Sequence, residues 1–171
     1  ILDPYALTFP RGRWGIGVNG QTYQQEALVS FGGYQYAAHF SAGGKLCVSR
    51  RRLPDALWEV ITFSDYMMAD HYDTHNVAVV GICPQDGTIH LSFDHHCDSL
   101  RYRRSVPGLA TRPADFPWNT ESFGAITAEL VLGQTFQEFT YPQFFATPEG
   151  KLQLLYRLDW SANGDWYMAE Y

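Results

Sequence analysis

Five of the six histidines of this 171-residue chain fall between Asp70 and Arg104. Imidazole titrates close to neutrality, so histidines gathered in one stretch are candidates for moving protons or holding a metal. His75 ends Tyr72-Asp73-Thr74-His75, and Asn76 opens the apolar run that follows it. His95 lies in Asp94-His95-His96, directly after Ile89-His90-Leu91-Ser92-Phe93. The two stand 20 residues apart, which fits two antiparallel strands and a tight turn. That geometry brings the start of one strand beside the end of its partner. The functional reading is a histidine pair for proton transfer or metal ligation, and the bland one is imidazoles bonding backbone at a corner. His90 alternates with Ile89 and Leu91 and reads as structural. His71 and His39 read as structural or solvent-facing, and His96 is open. Asp94, His95 and His96 could supply metal ligands, but there is no His-Glu-x-x-His and no paired-cysteine motif.

Arginines cluster against a formal charge of −6. A planar guanidinium suits carboxylate or sulfate, so an acidic sugar polymer is a natural partner. Strand alternation puts Arg101 and Arg103 on one face and Tyr102 and Arg104 on the other. Arg157 ends Leu152-Gln153-Leu154-Leu155-Tyr156-Arg157. The Arg50-Arg51-Arg52 run reads as solvated surface. Tyr141, in Phe139-Thr140-Tyr141-Pro142, occupies the place in its segment that Asp73 to His75 occupy in theirs, although by itself, as one of 11 tyrosines, it reads as packing.

The elements that position these residues read as strands. Tyr34 to Phe40, a turn over Ser41 to Lys45, and Leu46 to Arg51 form a hairpin. Asn76 to Ile82 lacks polar alternation, as a strand buried on both faces does. Further strands are expected at Ile89 to Asp94, Leu100 to Arg104, Pro142 to Ala146, Leu152 to Arg157 and Trp166 to Tyr171. One short helix is expected over Asp55 to Val60. Strand, glycine turn, strand, polar loop, strand recurs three times, with third strands at Leu46, Leu100 and Trp166. Repeats of several strands at such spacing mark propeller blades, against a simple sandwich of hairpins. The expected architecture is all-β, with blades near 15–65, 66–125 and 126–171. Three blades do not close a ring, which needs about four to eight, so the chain reads as part of a longer propeller.

Composition agrees. Hydrophobic residues make up 46% and charged ones 18%, which excludes a disordered chain. Aromatics at 16% suit pleated faces. The acidic balance argues against nucleic acid, and no apolar run reaches the length of a membrane span. Cys47, Cys83 and Cys97 do not make a disulfide framework. No leader segment is visible at the start.

Asp73-Thr74-His75-Asn76, Pro84-Gln85-Asp86-Gly87 through Asp94-His95-His96, Leu100 to Ser105, Thr140-Tyr141-Pro142, Tyr156-Arg157 and Gly164-Asp165-Trp166 together resemble the BNR-repeat family that contains polysaccharide lyases. Its members include ulvan lyases and lyases and glycosidases acting at rhamnose–glucuronate linkages. The resemblance covers most of residues 15–171 and implies a seven-bladed propeller with several blades beyond this chain. It implies that His75 and Tyr141 form the acid–base pair, with Tyr141 nearest the leaving group. Arg157 would face the uronate carboxylate, and His95 would bind or orient sugar with Asn76 and Arg104. Which of the pair is the base depends on substrate stereochemistry. The implied activity is β-elimination on a secreted enzyme's acidic polysaccharide, of ulvan or arabinogalactan type. The chemistry needs no cofactor, although a structural calcium or zinc accompanies the family. A glycoside hydrolase on the same linkage and a non-catalytic sugar-binding propeller are the alternatives.

Overall fold

The computed structural model describes residues 1–7, 19 and 26–171. The resemblance and the first expected blade begin at residue 15, so parts of both lie outside the described residues. Thirteen strands and one short 3-10 turn, Thr120–Ser122, make up the described elements. No helix among them is long and apolar enough to cross a membrane.

The first sheet is an antiparallel meander of β1 (Leu28–Phe31), β2 (Tyr34–Phe40), β3 (Lys45–Arg52) and β4 (Glu59–Met67). The second holds β5 (Ala78–Ile82), β6 (Ile89–Phe93) and β8 (Tyr102–Arg104). Between β6 and β8 the chain leaves this sheet as β7 (His96–Asp98), which joins a third sheet. There it pairs with β11 (Phe139–Ala146), followed by β12 (Leu152–Arg157) and β13 (Trp166–Glu170). The hairpin of β9 (Glu129–Val131) and β10 (Gln134–Thr135) stands apart.

β5 explains the stacking. Ala78, Val80 and Ile82 enter one core with Phe40, Val48, Phe63 and Phe93. Val77, Val79 and Cys83 enter a second core with Phe139, Phe144, Leu154 and Tyr156. The unbroken apolar run is thus buried on both faces, because a sheet packs against each side of it. Gly81 permits the closer approach, since a Cβ there would lie 2.5 Å from Phe144 Cβ.

Three expectations are corrected. Residues 55–58 form no helix. The chain instead enters β4 at Glu59, where register with Arg50 of β3 supplies backbone partners. Ile61 and Phe63 alternate into the core. The Arg50–Arg52 run is not uniformly solvated either. Arg50 is 8% exposed, pairs with Glu59 Oε2 at 2.7 Å and lies over the Trp118 ring. Only its far end, Arg52, is exposed. The grouping of strands also departs from three like units, because β1 and β4 complete the first sheet and β7 crosses into the third.

Candidate active site

β7 is short, but its position builds the site. Asp94 and Cys97 both adopt positive φ, 61° and 58°, and aspartate tolerates this left-handed region better than most residues. The resulting bends turn the chain out of β6 and set His96 opposite Thr140 of β11. There the His96 ring stacks on His75, with centroids 3.9 Å apart and planes 20° off parallel.

Asp73 holds the two rings. Its Oδ1 is 2.8 Å from His75 Nδ1 and its Oδ2 is 2.5 Å from His96 Nδ1. Burial works against its charge, but the bonds from His96 and from the backbone and ring of His75 hold the carboxyl below its usual value. An ionised carboxylate only accepts hydrogen bonds, so both Nδ1 atoms donate to it, which leaves Nε2 as the acceptor atom of a neutral His75 ring. Burial lowers the His75 pKa, the Asp73 bond opposes this, and the nearby His96 and Arg157 charges lower it further. His75 is therefore a neutral acceptor at pH 7.

Tyr141 sits at an irregularity in the β11–β12 register, between Thr140 and Gln143, with φ 57°. The bulge re-aims its side chain out of the alternation. Its ring lies 5.8 Å from that of His75. Arg157, opposite Thr140 on β12, places its guanidinium 5.0 Å from the centre of the Tyr141 ring. Arg157 is 8% exposed and its buried Nε has no hydrogen-bond partner among the described residues. Its Nη2 donates to Cys97 Sγ at 3.5 Å, and no carboxylate pairs with it among the described residues. A buried guanidinium without a carboxylate is costly, and the arrangement favours an incoming anion.

The structure thus gathers His75, Tyr141 and Arg157. His95 is wholly buried, its Nε2 accepting the backbone N–H of Arg101 at 2.8 Å and its ring against Phe139. Burial, then the Arg101 charge, pushes its pKa well down. It supports the turn from beneath, and the imidazole that reaches His75 is His96. Asn76 is also buried, its Nδ2 donating to the Asp70 carbonyl at 3.4 Å, with Oδ1 unpartnered among the described residues. Arg104 lies at the other end of the second sheet. It is opposite His90 and over Tyr171, whereas His75 precedes the end at which Ala78 meets Phe93. His90 is structural as expected, bonded to Thr88 and Tyr102.

The expected ligand trio of Asp94, His95 and His96 does not form. Asp94 Oδ2 instead accepts from the Tyr66 hydroxyl and, at 3.3 Å, from Ala69 N–H. Among the described residues, the group that could hold a metal is Asp73, His75 and His96, whose ligand atoms lie within 4.8 Å of one another. Two imidazoles and one carboxylate suit zinc better than calcium. The sequence signal for Asp73 and His96 was their nearness to His75 and His95. The bends at Asp94 and Cys97 that exchange the facing histidine leave no periodic trace.

Two imidazoles bridged by a carboxylate thus lie beside a tyrosine and a buried arginine on an all-β scaffold. The chain belongs to the BNR repeat-containing family, which it matches over residues 34–171. An ulvan lyase, long isoform, from Alteromonas sp is 30% identical over 127 residues, covering 58% of this chain and 13% of that protein. An ulvan lyase, short isoform, from Alteromonas sp. (strain LOR) is 28% identical over 131 residues, 25% of its length. The polysaccharide lyase Uly1 matches with a TM-score of 0.78 at 21% identity, over 94% of this chain and 41% of that one. A PL25 ulvan lyase bound to -[GlcA(1-4)Rha3S]- matches with a TM-score of 0.65 at 13% identity, over 98% and 38%. The chain therefore spans about an eighth to a quarter of these curated relatives and about two fifths of the solved ones.

Proposed function

We propose that this chain carries the acid–base and carboxylate-binding part of a polysaccharide lyase that breaks a rhamnose–glucuronate linkage by β-elimination. The observation that carries the reading is the buried guanidinium of Arg157, without a carboxylate partner among the described residues, beside Tyr141 and His75. Family membership and the names of the relatives support it.

The proton alpha to a uronate carboxylate is poorly acidic. Arg157 would pair with the carboxylate and stabilise the charge that develops as the proton leaves. Neutral His75, with Nδ1 fixed on Asp73, takes the C5 proton at Nε2. Tyr141 gives its proton to the departing O4 oxygen, and the electron pair of the broken C–H bond forms the C4–C5 double bond. His96 keeps the Asp73 bridge in register. His95 and Asn76 act from beneath, by holding the turn and the strand entrance. Direct sugar contact by Arg104 would need a substrate that extends to the far end of the second sheet.

We further read the three main sheets, β1 to β4, β5 with β6 and β8, and β11 to β13 joined by β7, as blades of a β-propeller completed by further chain. Its partner is an acidic polymer of ulvan or arabinogalactan type, with no role for nucleic acid or a membrane. A polymer of that size is met outside the cell, so the protein is placed as secreted. No cofactor enters the reaction. A structural zinc would be held by Asp73, His75 and His96, in competition with the protons that Asp73 orients, so added zinc is expected to slow turnover and chelator to restore it. The test is appearance of a 4,5-unsaturated uronate from a rhamnose–glucuronate polymer, with loss in Arg157→Ala. A saturated uronate product would mean hydrolysis instead.

A further inference from the structure

Trp166 is an exposed aromatic ring beside this site that has had no role so far. Trp166 is the first residue of β13 and stands directly opposite Arg157 of β12, which in turn stands opposite Thr140 of β11. Residues opposite one another on paired strands project to the same face. The face therefore carries a row across three strands: Tyr141 at the bulge, Arg157 in the middle and Trp166 at the edge. The Trp166 and Tyr141 rings lie 20° from parallel with centroids 6.2 Å apart. Its neighbour Tyr167 points the other way, onto Tyr156, so the alternation puts Trp166 on the face of Arg157.

The turn before β13 holds this row close. Leu158 N–H bonds Asp165 carbonyl at 3.1 Å. Gly164 lets that turn lie against the arginine stem, since a Cβ there would come within 2.4 Å of the Leu158 carbonyl oxygen and 2.9 Å of Arg157 Cδ. Trp166 is nevertheless 52% exposed. Tyr167 and Met168 beside it are exposed to a like degree, 44% and 57%, because β13 is an edge strand, so it is alignment with Arg157 and Tyr141 that distinguishes Trp166. A flat ring in line with a buried guanidinium that no carboxylate pairs among the described residues is how a site offers an apolar wall beside a polar anchor.

We propose that Trp166 is a stacking platform for the sugar ring next to the uronate held by Arg157, on the side of the departing oxygen near Tyr141. The ligand is a pyranose that presents its C–H face to the indole, as a deoxy sugar does with less polar surface to desolvate. This rests on the lyase reading of the same site.

The test compares the wild-type protein with Trp166→Ala, Trp166→Phe and Tyr141→Phe. Elimination is followed by ultraviolet absorbance on a rhamnose–glucuronate polymer, and binding of a saturated oligosaccharide of that polymer by calorimetry. Trp166→Ala is expected to raise KM and weaken binding about tenfold, with kcat within about twofold of wild type. Trp166→Phe should fall between, which separates a stacking role from a folding defect. Tyr141→Phe should lose turnover and keep binding. Unchanged KM and binding in Trp166→Ala would overturn the proposal even if elimination is confirmed. If the wild type binds without eliminating, the lyase reading fails and the platform is judged on binding alone. Absence of any binding by the wild type overturns both.

Discussion

Asp73 decides which nitrogen of two imidazoles carries a proton. Asp73→Asn removes the charge and allows the wrong tautomer, and turnover is expected to fall at least about 100-fold. Because the Asp73 bond raises the His75 pKa against burial, its loss lowers that pKa further. The acid limb of the kcat/KM profile should then move to lower pH, and an unmoved limb would remove His75 from the base role. Arg157→Lys keeps the charge but not the planar fork, so kcat/KM on a uronate polymer should still fall by about 10²-fold or more. His75 and Arg157 stood out by type and position, whereas Tyr141, one of 11 tyrosines, entered only through the family resemblance. The facing partner was not, because alternation assigns sides only along an extended strand, and positive φ at Asp94 and Cys97 interrupts it there.

Strands with clean alternation and glycine turns, such as β2 and β12, could be read nearly to the residue. β4 was hidden because Pro54 and the following apolar residues imitate a helix start, and only pairing with β3 settles the matter. β7, β9 and β10, at two or three residues each, are too short for any period to show. The apolar run of β5 announced burial on both faces, and Gly81 is where that burial is tightest. Gly81→Ala would press a methyl group against Phe144. It is expected to cost about 1–3 kcal/mol in denaturant unfolding, while Gly33→Ala, with open space around it, should be limited to the strain of its positive φ. Equal effects at the two positions would argue against the close contact of the second and third sheets.

At the scale of the whole molecule, the buried histidines make folding sensitive to acid. Burial lowers His39, His90 and His95, with His90 brought to about 3. Below about pH 6.5 the unfolded chain takes up protons that the folded one refuses. Their contribution is full above that pH and is lost as pH falls through the folded values, by up to about 1.4 kcal/mol per pH unit for each group. Asp73 and Asp86, both held low by their hydrogen bonds against burial, lose stability in the same direction at lower pH. Asp94, raised by burial, works the opposite way. The melting temperature should therefore decline steadily from pH 6.5 toward 3, and a flat profile from 7 to 4 would contradict this burial pattern.

The central claim is that His75, Tyr141 and Arg157 together carry out an elimination on a uronate. It is tested most directly by mixing the purified protein with a rhamnose–glucuronate polymer and following ultraviolet absorbance and new reducing ends together. The account predicts that the two rise in step and that Tyr141→Phe abolishes both. Reducing ends that appear without the absorbance of a 4,5-unsaturated uronate, or a Tyr141→Phe protein as fast as wild type, would contradict it.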